Sequence, residues 1–262
     1  MKTTEKTDVR ESGVERGRVG LSHTSQKGLQ YRAGEVREVE DVIVLENTFR
    51  ILLNGEQVAA QVATDEQLRE LGAGFVIDEG LADEVESVTV RGNAILVTAP
   101  RLCAAQTETG SSGGTSYRCG VRHVRSELAI TPEEVIEVTE AIFSEDWQQT
   151  GALHCAVLFS EGRLVAKACD VGRHNTVDKV VGAAVLAGID RSRCVLGCTG
   201  RQPSGMVKKA ANAGIPILVS RAASTDQGIA TAAAAGVALV CFSRGDRFTV
   251  YTHPERVAGL RP

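Results

Sequence analysis

The chain has 262 residues, of which 43% are hydrophobic and 24% charged, with a formal net charge of −4. That balance is ordinary for a globular protein with room for a sizeable core, and it offers no global basic field to draw nucleic acid or an anionic membrane. No apolar run reaches the roughly 18 residues of a membrane span. The first 35 residues lack the apolar segment of a secretory signal, and seven cysteines without framework spacing suit a reducing cytoplasm.

Residues 1–35 mix Gly, Ser, Thr, Arg and Glu without periodicity, which predicts a disordered N-terminal arm. A small α+β domain is expected over 36–106. Within it, Asp41 to Thr64 alternates and carries Asn54-Gly55, a strong hairpin signal. Asp65 is placed to cap a helix through Leu71, with Gly72 and Gly74 as its stop. Val85 to Ala99 reads as two short strands about Gly92-Asn93. A flexible Gly/Ser loop is expected over 107–130, opening with TETGSSGGTS and carrying Cys119. Thr131-Pro132-Glu133-Glu134 then starts a helix, with Thr131 as cap.

From Leu153 on, the apolar runs AVLF, LVAKAC, CVLGC, IPILVS and VALVCF alternate with helical segments at 176–187, 204–213 and 226–235. This alternation predicts an α/β domain over 131–262, a parallel or mixed sheet covered by helices. Periodicity alone does not choose between the layered arrangements of that class.

Four segments carry chemistry. Asp170 to Lys179, DVGRHNTVDK, joins the LVAKAC run, read as a buried strand, to a helix ending at Gly188. Asn175 with Asp178 resembles a helix cap, and Arg173 and His174 stand at the positive end of that helix, where an anion is naturally held. Asp170 is expected to pair with Arg173 or His174. The alternative is a capped turn with one buried ion pair. Cys119 is flanked by Arg118, Arg122, His123 and Arg125, and nearby cations lower a thiol's pKa and raise its thiolate fraction. TGRQPSG (Thr199–Gly205) joins strand to helix with Arg201 and a capping Ser204, without the pattern of a nucleoside-triphosphatase loop. The turn of Phe242, Ser243, Arg244, Gly245, Asp246 and Arg247 offers two guanidinium forks, which suit pyrophosphate.

Cys155, Cys169, Cys194, Cys198 and Cys241 lie in or beside apolar runs, where free cysteine behaves as a small hydrophobe, and Cys103 is nearer the loop. The H-x-E and P-C-x-x-C signature of zinc deaminases is absent, so no zinc is expected.

The string DVGRHNTVDK closely resembles a signature of the FdhD/NarQ family of formate dehydrogenase accessory sulfurtransferases. Asn54 to Leu81, Thr150 to Phe159, Thr199 to Thr225 and Phe242 to Val257 follow the same family in order, so the resemblance covers about residues 38–258. It implies a cytidine-deaminase-like α/β/α layer with the smaller unit in front. It also implies a persulfide carrier at Cys119, the first cysteine of the family's CGxC motif. Here the second cysteine is replaced by Arg122, which excludes a local CxxC disulfide.

By the same resemblance, a cysteine desulfurase supplies the sulfur. The protein, a homodimer, binds the molybdenum (or tungsten) bis(molybdopterin guanine dinucleotide) cofactor as substrate and serves a formate dehydrogenase. The 242–247 turn matches the stretch that contacts this cofactor, and Arg173, His174 and Arg201 are added as candidate contacts. The lost second cysteine favours an alternative, a cofactor chaperone without sulfur transfer. A nucleobase deaminase is disfavoured by the missing zinc signature.

Overall fold

The computed structural model describes residues 23–102, 106–109, 115–118, 120–144 and 150–260. The arm expected over 1–35 does not extend through residues 23–35. There β1 (His23–Arg32) and β2 (Glu35–Val44) form a long antiparallel hairpin in which Lys27 faces Glu40 and Arg37 donates to Gln30. Polar side chains on both strands hid the alternation, because this hairpin has no buried face to demand apolar residues.

Asn54 and Gly55 both take positive φ (51° and 88°), as a tight two-residue turn requires, and fold β3 (Asn47–Leu53) onto β4 (Glu56–Ala63). β5 (Ser87–Arg91) and β6 (Ala94–Thr98) turn about Gly92-Asn93, and β6 runs parallel to β3 in a sheet ordered β4-β3-β6-β5. Helix α1 (Leu68–Asp78) packs on this sheet, and it corrects the expected stop at Gly72 and Gly74. The helix runs through both glycines, and its N-cap is Gln67 in left-handed conformation rather than Asp65.

The reason is packing. A Cβ on Gly74 would stand 1.7 Å from the carbonyl oxygen of Asp178, and one on Gly182 would stand 1.9 Å from that of Glu70. These glycines let α1 touch the backbone of a second helix. Glycine here serves close approach, not termination.

Part of the loop expected to be flexible is also ordered. β7 (Gln106–Thr109) pairs with β8 (Thr115–Arg118), and the irregular stretch after it is tied down by backbone bonds from Val124 N to Ala235 O and from Ile130 N to Arg256 O. Helix α2 (Pro132–Ala141) begins as expected, with a capping box between Thr131 and Glu134 and proline in the first turn.

The remaining strands are β9 (His154–Ser160), β10 (Arg163–Asp170), β11 (Cys194–Cys198), β12 (Ile217–Ser220), β13 (Ala238–Arg244) and β14 (Arg247–Thr252). They form one mixed sheet ordered β10-β9-β11-β12-β13-β14, with β11, β12 and β13 parallel and the other pairings antiparallel. LVAKAC, expected to be buried, lies on the edge strand β10 with Leu164 and Val165 exposed. Helices α3 (Arg173–Leu186), α4 (Ser204–Asn212) and α5 (Asp226–Ala235) connect the later strands.

Val135 and Val138 from α2, with Ile142 just after it, cover one face of the sheet, against Val157, Val195, Ile217 and Val240. The other face shares a continuous core with α3, α4, α1 and the four-stranded sheet, including Leu158, Leu196, Val180, Phe75 and Ile51. The protein is therefore mixed α/β, with helices on both faces of its larger sheet. Among the described residues no helix is long and apolar enough to cross a membrane.

Candidate anion site at the strand edge

The parallel run of β11, β12 and β13 brings three carboxyl ends to one edge of the sheet. Because β9 is antiparallel to β11, its first residue, His154, lies at the same edge, as does the end of β10. One cavity of about 390 Å³ opens there, lined by Val171 after β10, Thr199 after β11, Arg221 and Ala222 after β12, and Arg244 at the end of β13. Phe143, just past α2, and His154 and Cys155 complete its wall. Ligands of open α/β sheets gather outside the carboxyl ends of strands for this geometric reason.

Two guanidiniums converge on this cavity. Arg244 Nε donates to the Arg221 carbonyl (2.9 Å), while the Arg221 guanidinium lies 3.7 Å from the centre of the Phe143 ring. Partial burial, and then the charge of Arg244, lower the Arg221 pKa, so the two cations oppose one another. An anion between them would relieve that opposition. His154 Nδ1 lies 3.0 Å from Thr199 Oγ1, and desolvation followed by the Arg173 charge hold the imidazole below its ordinary pKa. The strand-end loops are stitched together: Ser220 Oγ and Gln202 Nε2 both donate to the Gly200 carbonyl (2.7 and 2.6 Å), and Phe242 N donates to Ala222 O.

The 170–179 segment divides its residues between two jobs. Asp170, expected to pair with Arg173 or His174, instead makes a buried ion pair with Lys179 (2.7 Å, both side chains fully buried). Its carboxylate also accepts from Thr64 N and Oγ1 (3.1 Å each), from Asn175 Nδ2 and from Gly172 N (2.8 Å each). Asn175 is consequently not the helix cap. The cap position is Gly172, and Asn175 Nδ2 also reaches Val62 O on β4. Lys179 was invisible in the sequence because a lysine on a helix normally reads as solvated. Arg173 and His174 are the first two residues of α3, with the Arg173 side chain packed against Gly200.

Among the other residues singled out by sequence, Arg244 lines the cavity, while Arg247 is exposed and faces Arg244 across the hairpin. Phe242 has left-handed φ (53°) and Gly245 a φ of 57°, so both bend the strand end, and Gly245-Asp246 forms the turn. Ser243 is buried with its Oγ 2.5 Å from Thr139 Oγ1, so it anchors the turn to α2. Arg201 is exposed just beyond the cavity loop. Ser204 does not cap α4, whose N-cap is Pro203; its Oγ accepts from Thr231 instead.

Cys119 and Cys103 lie outside the described residues. Arg122 makes an ion pair with Asp83, and its backbone N donates to Asn212 Oδ1 (3.0 Å), so its charge is already engaged. Cys194, Cys198 and Cys241 are buried thiols. Burial pushes Cys198 up to about 11 and Cys241 up to about 12, which makes them poor nucleophiles at neutral pH. His154, Arg221 and Phe143 are chemistry-bearing cavity residues that sequence reasoning did not single out, whereas Thr199 opens the TGRQPSG segment named above. The available signal was the place of His154 and Arg221 just outside apolar strand runs, at HCAVLF and ILVSR.

Two guanidiniums at an open cavity on the strand edge of an α/β sheet form an arrangement chemically able to hold an anion. The family model described as the FdhD/NarQ family matches residues 44–258, and the chain belongs to that family. It is 33% identical over 248 residues to the sulfur carrier protein FdhD of Wolinella succinogenes, covering 86% of this chain and 87% of that protein. It is 29% identical to the sulfur carrier protein FdhD of Bacillus subtilis, covering 87% and 95%. A crystal structure of a candidate formate dehydrogenase accessory protein from Desulfotalea psychrophila superposes with a TM-score of 0.76 at 29% identity, covering 91% of this chain and all of that one.

Proposed function

We propose that this protein carries sulfur as a persulfide on Cys119 and delivers it to a molybdenum or tungsten bis-pterin guanine dinucleotide cofactor, bound as substrate, for a formate dehydrogenase. The observation that carries this reading is the convergence of Arg221 and Arg244 on one cavity, in a chain whose relatives are named sulfur carriers. Arg244 and Arg221 bind pyrophosphate oxygens, and the neutral His154 imidazole supplies a hydrogen bond beside them. Arg173 and His174 set the positive end of α3 at the same edge. Helices on both faces of the larger sheet accord with the cytidine-deaminase-like layering that the family resemblance implies.

The sulfur step follows thiol chemistry. The Cys119 thiolate attacks the outer sulfur of a desulfurase persulfide, forming a Cys119 persulfide and releasing the desulfurase thiolate. Onward transfer as sulfide needs two electrons, and Arg122 stands where the family motif has its second cysteine. Those electrons therefore come from thiols elsewhere. A chaperone that binds the cofactor without carrying sulfur is the second reading, favoured by that same substitution. Intact mass spectrometry after incubation with a cysteine desulfurase and cysteine separates the two. A gain of about 32 Da that maps to Cys119 and is lost in Cys119→Ala supports sulfur carriage. An unmodified Cys119 supports the chaperone.

A further inference from the structure

On the antiparallel pair β9–β10, Cys155 and Cys169 stand directly opposite one another. Their side chains therefore share one face of the sheet, the face covered by α2, and they are in hydrogen-bond contact through sulfur. Directly opposed residues of an antiparallel pair have Cα atoms about 4.5–5.5 Å apart, inside the range a disulfide bridges without backbone movement. The irregularity in this pairing falls between Leu164 and Ala166 and leaves the cysteine register intact. Both thiols are unbridged. Cys155 lines the wall of the arginine cavity, while Cys169 is partly exposed.

We propose that Cys155 and Cys169 are a two-electron dithiol that reduces a sulfane sulfur presented to Cys169, beside the cavity that Cys155 lines, to sulfide and closes to a cross-strand disulfide. The link to cofactor sulfuration rests on the function proposed above; the dithiol chemistry does not. Cys169, the more exposed of the two, attacks the outer sulfur of a persulfide RS–SH as thiolate, forming Cys169–S–SH and releasing RSH. Cys155 then attacks the inner sulfur of Cys169, the S–S bond breaks, and the terminal sulfur leaves with the Cys155 proton as hydrogen sulfide. One persulfide and two thiols give one thiol, one disulfide and one hydrogen sulfide. The sulfane sulfur gains two electrons and the two cysteines lose one each.

Its place in the fold suits this work. The contact with Cys169, and then burial, raise the Cys155 thiol, so Cys169 rather than Cys155 is the one to make the first attack. The pair supplies the reducing equivalents that a local CGxC motif would otherwise hold, next to the cavity that Cys155 lines.

The test treats the full-length reduced protein with glutathione persulfide, maps peptides without reductant and measures hydrogen sulfide. The expected result is a Cys155–Cys169 linked peptide, lighter by about 2 Da and reversed by dithiothreitol, with one hydrogen sulfide per disulfide. The same yield is expected in Cys119→Ala, so failure of this proposal and failure of the Cys119 reading are separable. In Cys155→Ala, Cys169 should retain an adduct of about 32 Da and release no sulfide. A folded wild-type protein in which both cysteines still alkylate fully after persulfide treatment overturns the proposal.

Discussion

Two groups of charges flank the start of α3, and they solve opposite problems. Behind it, Asp170 and Lys179 form a closed pair in which Thr64, Gly172 and Asn175 all donate to the carboxylate. One turn deeper, Asp178 and Glu79 both bind Lys209 (2.6 and 2.8 Å), with Asp78 buried alongside. In front of it, Arg221 and Arg244 converge at an open cavity with no carboxylate among its described lining residues. Where the charges are paired and buried, they join the α+β unit to the larger sheet. Where two guanidiniums meet around open space, the arrangement suits an anion. One ten-residue segment serves both, which explains why its chemistry was hard to assign from sequence.

Substitutions can break this contrast from either side. Lys179→Met leaves Asp170 ionised and buried without its partner, which should cost about 3–5 kcal/mol in denaturant unfolding at pH 7. A deficit below about 1 kcal/mol would remove the ion pair from the explanation.

Gly182→Ala tests the joint by shape alone. Its Cβ cannot coexist with the Glu70 carbonyl at 1.9 Å, so α1 and α3 must separate, at a cost of about 3 kcal/mol. Thermal unfolding reads this, and a change below about 0.5 kcal/mol would contradict the close contact.

Asp78→Asn should do much less. Burial, and then the Asp178 charge, raise the Asp78 pKa well above the carboxylate range, so the folded protein already holds this carboxyl neutral at moderate pH. The amide should change stability by less than about 1 kcal/mol near pH 6. It should also remove a loss of stability that the parent shows as pH rises, because the folded state binds the extra proton.

The smallest effect is expected from His154→Gln. The His154 pKa is lowered by desolvation and then by Arg173, so on acidification below about 6.5 the unfolded chain takes up a proton that the folded chain resists. Stability therefore falls with pH through that window. The glutamine variant should flatten the slope of Tm between pH 7.5 and 5.5, and an unchanged slope would mean His154 protonates freely in the folded state.

The sequence was most legible where local chemistry decides structure. Asn54-Gly55 and Gly245-Asp246 mark turns because of their backbone preferences, and Thr131-Pro132 marks a helix start because its capping box lies within four residues. It misled where long-range contact decides. Gly72 and Gly74 read as stops, but Gly72 lets α1 lie close on Ile95 and Val97 of β6 and Gly74 is a landing place for α3, and Asn175 reads as a cap but bonds to Val62 and Asp170. The cavity was half legible: Arg244 lies in a visible turn, but Arg221 and His154 gain meaning only when strand order brings their ends together. Cys155 and Cys169, read as small hydrophobes, meet only through strand register.

The central claim, that the convergent arginines take the phosphates of a guanine nucleotide, is tested most directly by calorimetric titration of GDP. Arg221 and Arg244 should each contribute charge-assisted contacts, so the double variant Arg221→Ala, Arg244→Ala should lose about 2–4 kcal/mol of binding while keeping its Tm. Arg247→Ala, across the hairpin and outside the cavity lining, should bind as the parent does. Equal GDP affinity in the parent and the double variant would contradict the account.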